Sequence, residues 1–363
     1  MQKSNDSILF LCRNIGTHQQ KMVDILLEEK LNFTLLCTTK GLEEKYKQYL
    51  HPYFTWVANA TFANWTLIII APILVFLDSL LFKRSKIIGH YSTTFGWAAA
   101  FGVKAKKIII AYGSDLLVYP FRNILSRITA SFGIKRANKI LVDNTTGIKN
   151  AYKLGFTGKY IQTPFGIELP TSIEDLDNRA KNGEIILWVR GTEPIYNIEC
   201  FIEALHILNE KTTTNWKVFL AGNGTASSKI KSRFKSDSLK EKIIFLGYVK
   251  GRNNILDLYR KSTIYISSSF SDGTSVSLLE AMAYGLTIVV SDFTNNRYWI
   301  RNGHNGYLFD PKSPKELAKI LADILNSQIT IGERKKQLGI SQKKVQSEGS
   351  IETFKTKFKE LID

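Results

Sequence analysis

Between Ser262 and Ser291 an apolar, β-branched stretch, Ser262-Thr263-Ile264-Tyr265-Ile266, leads through a polar loop into a helical stretch. A second β-branched stretch follows, Thr287-Ile288-Val289-Val290-Ser291. Short runs of this kind read as buried strands, and the segment Ser277–Tyr284 between them reads as a helix that ends near Gly285. Two strands joined through a helix pair side by side in the same direction, which commits this part of the chain to a parallel sheet covered by helices.

The same rhythm runs through the rest of the sequence. Ile8–Cys12, Phe33–Thr38, Lys86–His90, Lys107–Tyr112 and Lys139–Asp143 read as strands, with helical stretches such as Gln19–Glu29 and Phe121–Ala130 between them. A break at Gln162-Thr163-Pro164-Phe165-Gly166-Ile167-Glu168 and the polar stretch 171–184 separate this half from a second one. There Glu184–Arg190, Trp216–Gly222 and Ile243–Leu246 are expected strands, and Asn197–Asn209, Ser227–Phe234 and Ile255–Arg260 expected helices. A chain of 363 residues favours two domains, and the pattern makes both α/β.

The loop at 267–276 carries the most chemistry. Asp272 precedes Gly273-Thr274-Ser275-Val276, and Glu280 lies eight positions after Asp272, on the helix that follows. A helix N-terminus with exposed amides suits a phosphate, and carboxylates suit hydroxyls because they accept hydrogen bonds strongly. A ligand that is part anion and part polyol is a nucleotide sugar.

The residues from Ser267 to Pro311 resemble the donor-site signature of retaining glycosyltransferases of family 4. In that signature Glu-Gly-Phe-Gly is followed by Glu-Ala-Met-Ala-x-Gly. Here it is matched by Asp272-Gly273-Thr274-Ser275, then Glu280-Ala281-Met282-Ala283-Tyr284-Gly285, and Asn302-Gly303-His304-Asn305-Gly306 matches the closing turn. Asp272 stands in for the first Glu, and Thr274-Ser275 for Phe-Gly. Pro164-Phe165-Gly166-Ile167-Glu168 is similar to the family's turn at the domain junction. The resemblance implies the GT-B fold, in which two Rossmann-like domains face each other across a cleft. Residues 1–165 would bind the acceptor and 166–344 the nucleotide sugar, with a terminal helix over about 345–363 packing back on the first domain.

It also implies roles. Glu280 would bind the ribose hydroxyls, and Asp272 the donor sugar, aided by the amides of Gly273, Thr274, Ser275 and Val276. Arg190 would clamp the diphosphate, a task for which its fixed charge and forked donors suit it. The family's lysine about five residues on is replaced here by Ile195-Tyr196, which leaves Lys250 as a second cation. Tyr248 would lie by the base. In the first half His90, Asp115 and Gly16 correspond to an active-site histidine, an orienting carboxylate and a glycine near the diphosphate. Asp115 and Asp272 both also read as helix caps. A nucleotide-sugar 2-epimerase, and a degenerate transferase kept as a scaffold subunit, remain as other readings.

Composition narrows the partners. The net charge is +17, and residues 1–165 hold 21 Lys/Arg against 9 Asp/Glu. That balance suits an anionic partner, or is the solubilising charge of a lysine-rich chain. There is no nucleic-acid-binding motif, so a membrane surface fits better than DNA or RNA. The apolar segment 66–82 is followed by Lys83-Arg84-Ser85-Lys86 and interrupted by Pro72 and Asp78. It reads as a buried helix or as one lying at the membrane interface, its basic flank on lipid head groups; it is short for a span. The acceptor this suggests is a lipid-linked or surface glycan.

Three scattered cysteines, Cys12, Cys37 and Cys200, give neither a disulfide framework nor a zinc site. No metal or other cofactor is expected. The N-terminal apolar run is too short for a signal-peptide core, so the expected location is cytoplasmic, peripheral on the inner membrane.

Overall fold

The computed structural model describes residues 7–38, 42–53, 64–181, 183–228, 230 and 239–363. They form two units, 1–165 with 352–363, and 166–351. Each is built on a six-stranded sheet in which every recorded pairing is parallel.

The first sheet consists of β1 (Ser7–Leu11), β2 (Asn32–Leu36), β3 (Lys86–His90), β4 (Lys106–Ala111), β5 (Lys139–Val142) and β6 (Lys159–Gln162), in the order β2-β1-β3-β4-β5-β6. The second consists of β7 (Glu184–Val189), β8 (Trp216–Ala221), β9 (Ile243–Gly247), β10 (Ile264–Ser267), β11 (Thr287–Ser291) and β12 (Tyr307–Phe309), in the order β12-β11-β10-β7-β8-β9. In each sheet the strand order reverses once, between β1 and β3 and between β10 and β7.

Alternation along the strands fills both faces of the second sheet. Ile186 and Trp188 of β7, Ile264 and Ile266 of β10 and Val289 of β11 pack with the helices Ile198–Lys211 and Pro314–Leu325. Leu187, Tyr265, Ile288 and Val290 point the other way, toward Val276–Ala283 and Val345 of the helix Ile331–Glu348. Strands buried on both faces are continuous apolar runs, which is why they stand out in the sequence.

Two sequence readings change. The stretch Phe121–Ala130 is not one helix: Asn123 takes an extended backbone and its side chain accepts the Ser126 amide, so it caps a new helix, Ile124–Arg136. The strand β6 is short, polar and at a sheet edge, and the sequence pattern did not separate it from a loop. The expected helix Ser227–Phe234 lies mostly outside the described residues. At the C-terminus, Ile331–Glu348 belongs to the second unit and only the last helix, Ile351–Ile362, to the first. There Phe354 meets the Phe165 ring at 6.2 Å, and Lys355 and Lys359 pair with Glu28 and Glu29.

The segment expected at 66–82 is the helix Asn64–Leu81. Asp78, which interrupts the apolar run, is fully buried. Its carboxylate accepts from Arg84 Nη2 at 2.7 Å and from Arg84 Nε at 3.0 Å, and lies 2.9 Å from His51 Nε2. Arg84 Nη1 in turn donates to Ser7 Oγ and Thr34 Oγ1. Burial opposes the charge, but His51 and Arg84 outweigh it and hold the Asp78 carboxyl below its usual range. The basic flank therefore differs from its sequence reading: Arg84 and Lys86 are buried and Lys83 alone of the three is exposed. No described helix is long and apolar enough to cross a membrane.

Breaking a buried charge cluster leaves the remaining charge unpaired, at a cost of about 3–5 kcal/mol. Asp78→Ala is expected to destabilise the first unit by that amount in urea unfolding. A loss too small to measure would mean that the cluster does not hold the helix.

Candidate active site

Open parallel sheets bind ligands beyond the C-terminal ends of the strands where the strand order reverses. Both units place sequence-predicted residues there.

In the second unit, Arg190 follows β7 and Asp272 follows β10, the two strands at the reversal, and the side chains form an ion pair across it. The backbone beneath Arg190 is crowded. A Cβ on Gly222, whose φ is +142°, would lie 1.8 Å from the Arg190 carbonyl oxygen, so only glycine fits after β8. Tyr196 lies where the family's lysine was expected, and its ring carries the Arg190 guanidinium 5.0 Å from its centroid.

Asp272 is not the helix cap. That position belongs to Ser275, whose hydroxyl accepts the Leu278 amide, while the Asp272 carboxylate accepts the Gly273 amide at 2.9 Å. Asn295 donates to the Asp272 carbonyl and Trp299 Nε1 to Thr274 Oγ1, so the loop is braced from the helix Thr294–Trp299.

Glu280 lies in the middle of the helix Val276–Ala283 and is 3% exposed. Its Oε1 lies 2.5 Å from Nη1 of Arg252, the first residue of the helix Arg252–Lys261. Burial, with the Glu280 charge beside it, holds the Tyr259 phenol well above its ordinary value. Sequence reasoning missed Arg252, because no spacing rule links position 252 to position 280; only the fold brings them together. Of the other expected residues, Lys250 accepts from Asn254 through its carbonyl, and Tyr248 is 76% exposed beyond the edge strand β9.

In the first unit the reversal falls between β1 and β3, and Gly16 and His90 stand on either side of it. Gly16 precedes the helix Thr17–Glu28, and its amide donates to Gln19 Oε1 at 3.2 Å. That fixes the Gln19 amide group with Nε2 turned toward the His90 ring, 3.1 Å from Nε2 and 3.3 Å from Nδ1. Burial, then the neighbouring His18, pushes the His90 pKa down to about 3. His90 is thus a neutral imidazole that accepts from Gln19. The His18 ring stacks on Phe165 at 3.7 Å, and Tyr112 stacks on the same residue at 3.6 Å.

Just past His90 the backbone is strained. Tyr91 has φ +72°, and Tyr91–Phe95 forms a π-helical turn, a local irregularity that recurs at functional sites. Gly89 permits it, since a Cβ there would lie 2.4 Å from the Phe95 carbonyl oxygen.

Asp115 anchors this turn rather than capping its own helix. Its Oδ2 accepts the Ser92 amide at 2.9 Å, and the Ser92 hydroxyl donates to its carbonyl at 2.6 Å. Asp115 Oδ1 and the Tyr112 hydroxyl are buried with no hydrogen-bond partner among the described residues. Burial and the charge of Asp143 push the Asp115 pKa up to about 7, against the Ser92 bond that lowers it. Asp143, at the end of β5, was not singled out in the sequence.

No cluster of metal-ligating side chains is found among the described residues.

Residues 173–345 match the family model described as glycosyl transferases group 1. The Escherichia coli UDP-Gal:alpha-D-GlcNAc-diphosphoundecaprenol alpha-1,3-galactosyltransferase is 28% identical over 36% of this chain and 33% of its own length. The Campylobacter jejuni GalNAc-alpha-(1->4)-GalNAc-alpha-(1->3)-diNAcBac-PP-undecaprenol alpha-1,4-N-acetyl-D-galactosaminyltransferase is 26% identical over 42% of this chain and 41% of its own. The chain thus spans about a third to two fifths of the length of these relatives. The crystal structure of Anabaena HepE in complex with UDP superposes with a TM-score of 0.75 over 98% of this chain and 99% of that one, at 14% identity. The fold is GT-B.

A carboxyl whose pKa is raised on folding keeps its proton in the native state while the unfolded chain loses it. Stability is then full below the ordinary Asp value and falls as pH rises toward the native value. Asp115→Asn is therefore expected to gain on the wild type by a few kcal/mol between about pH 4 and pH 7, and to keep a constant difference above that range. Parallel stability curves for the two proteins from chemical denaturation would show Asp115 ionised and solvated.

Proposed function

We propose that this chain, recognised over residues 173–345 as a member of glycosyl transferases group 1, transfers a sugar from a nucleoside diphosphate sugar to a hydroxyl of a lipid-linked or surface glycan, with retention at the anomeric carbon and without a metal. The observation that carries this reading is the pair of carboxylate–guanidinium contacts, Arg190 with Asp272 and Arg252 with Glu280, in the second unit. Two cations beside two carboxylates supply what a diphosphate and a set of sugar hydroxyls each need.

In the proposed reaction Glu280 accepts from the ribose hydroxyls and Asp272 from the hydroxyls of the transferred sugar. Arg190 holds the diphosphate and takes up the charge that develops as the bond from the anomeric carbon to the phosphate oxygen breaks. The electron pair leaves with the nucleoside diphosphate. The acceptor oxygen forms the new bond on the face the leaving group vacates, and its proton passes to the departing phosphate. Neutral His90 serves as a hydrogen-bonding group in the first unit. The catalysis asked of the protein is positioning and electrostatics.

Two observations support the donor and the acceptor. The relatives from Escherichia coli and Campylobacter jejuni carry undecaprenol-linked sugars in their names, and the HepE structure contains UDP. On the helix Asn64–Leu81, the buried pairing of Asp78 turns an apolar face outward: Ile69, Ile73, Phe76, Leu77, Leu80 and Leu81 are all exposed. A helix lying in a membrane interface presents such a face, which supports a location at a membrane surface.

Thermal unfolding with UDP, GDP, TDP and CMP tests the donor site. One nucleotide is expected to stabilise the protein by about 2.7 kcal/mol at 100 times its dissociation constant, and to lose that effect in Glu280→Ala. No shift with any of the four would favour the scaffold reading. A second expectation concerns the helix. Ile73→Asp combined with Leu80→Asp should abolish co-flotation with anionic vesicles while leaving the nucleotide shift intact, and unchanged flotation would remove the membrane from the account.

A further inference from the structure

The opposite edge of the first sheet has a feature that a donor or acceptor site does not use. The first residue of each of four consecutive strands, β3, β4, β5 and β6, is a lysine: Lys86, Lys106, Lys139 and Lys159. The parallel register decides where these side chains go. Lys86 is opposite Lys106, Lys139 is opposite Ile108, two residues on from Lys106, and Lys159 is opposite Lys139. Residues two apart on a strand share a face, so all four lysines project from the same side of the sheet. Like charges directly opposite on neighbouring strands are destabilising, and here the arrangement continues across four strands.

All four lysines line one cavity of about 320 Å³, and among the described lining residues Asp363 has the one carboxylate side chain. Lys86 is 9% exposed. Lys139 Nζ donates to the Glu360 carbonyl at 3.0 Å. Burial and then the charge of Lys106 lower the pKa of Lys139, with Lys159 and Lys86 adding to the effect and Asp363 opposing it. Lys106, Lys139 and Lys159 thus concentrate positive charge on one wall of the cavity.

We propose that this cavity is a binding site for a phosphate-bearing anion, separate from the nucleotide-sugar site. The ammonium groups of Lys106, Lys139 and Lys159 give point-charge contacts without a fixed fork, which suits a diphosphate or a phosphomonoester. The anion brings negative charge beside Lys106, Lys139 and Lys159. Its source is either a free phosphate compound or the head group of a phospholipid, and the two differ in how they reach the site.

The experiment uses Arg190→Ala as background, so that the diphosphate contact in the second unit does not contribute. Pyrophosphate binding is measured by calorimetry and thermal unfolding, and co-flotation with phosphatidylcholine vesicles is measured with and without phosphatidic acid. Both are repeated in Lys106→Gln combined with Lys159→Gln; these two side chains are exposed, and glutamine keeps most of the stem. The expected result is binding at least about tenfold weaker in the double variant, the loss of one charged hydrogen bond or more. The ligand-free double variant should also melt higher at low salt, because repulsion has been relieved. Loss of the pyrophosphate response assigns a free anion, and loss of phosphatidic-acid-dependent flotation alone assigns a head group. Equal binding in the two proteins, or none by either probe, overturns the proposal.

Discussion

Parallel pairing with one reversal of strand order is the constraint on which the rest depends. Because all strands of a sheet run the same way, every loop that leaves a strand emerges at one edge, and the reversal opens a gap there with no crossover above it. Each unit bridges its gap with a side-chain contact: Arg190 with Asp272 in the second, Gln19 with His90 in the first. One is a charged pair and the other a neutral one. A charged pair in one unit and a neutral pair in the other give the two strand reversals different electrostatic character.

The same constraint gathers the strand starts at the other edge. Lysine is a common way to blunt and solvate strand ends, yet four of them in register on one face no longer behave as separate surface charges. The pattern can be read in the sequence only when the register is known, since Lys106 and Lys107 are adjacent and face opposite sides. A one-residue slip would scatter the cluster.

What was legible in the sequence follows from this. The strands of the second unit are buried on both faces, so their apolar runs stood out, and Asp272, Glu280 and Arg190 could be placed from motif and spacing. Arg252 was invisible because its partner is 28 positions away on another helix. The caps were misread for a local reason: Asp272 is a good cap by type, but Ser275 is nearer the first helical turn. The flank at 83–86 reads in the sequence as basic charge for lipid head groups; the fold instead uses Arg84 to neutralise a buried carboxylate. Long-range charge pairing is the part of this structure that local pattern does not encode.

Residues 352–363 belong with 1–165 rather than with the segment that immediately precedes them. On the ribosome this reverses the order in which the units are completed. The first unit begins to emerge first, but lacks Phe354, Phe358 and Leu361, all buried in the folded protein, until residues 352–363 have been made. The second unit is contiguous in sequence and can close earlier. Domains usually fold in the order they are made; here the nascent first unit must wait, with the surface meant for its final helix uncovered, while the younger one matures.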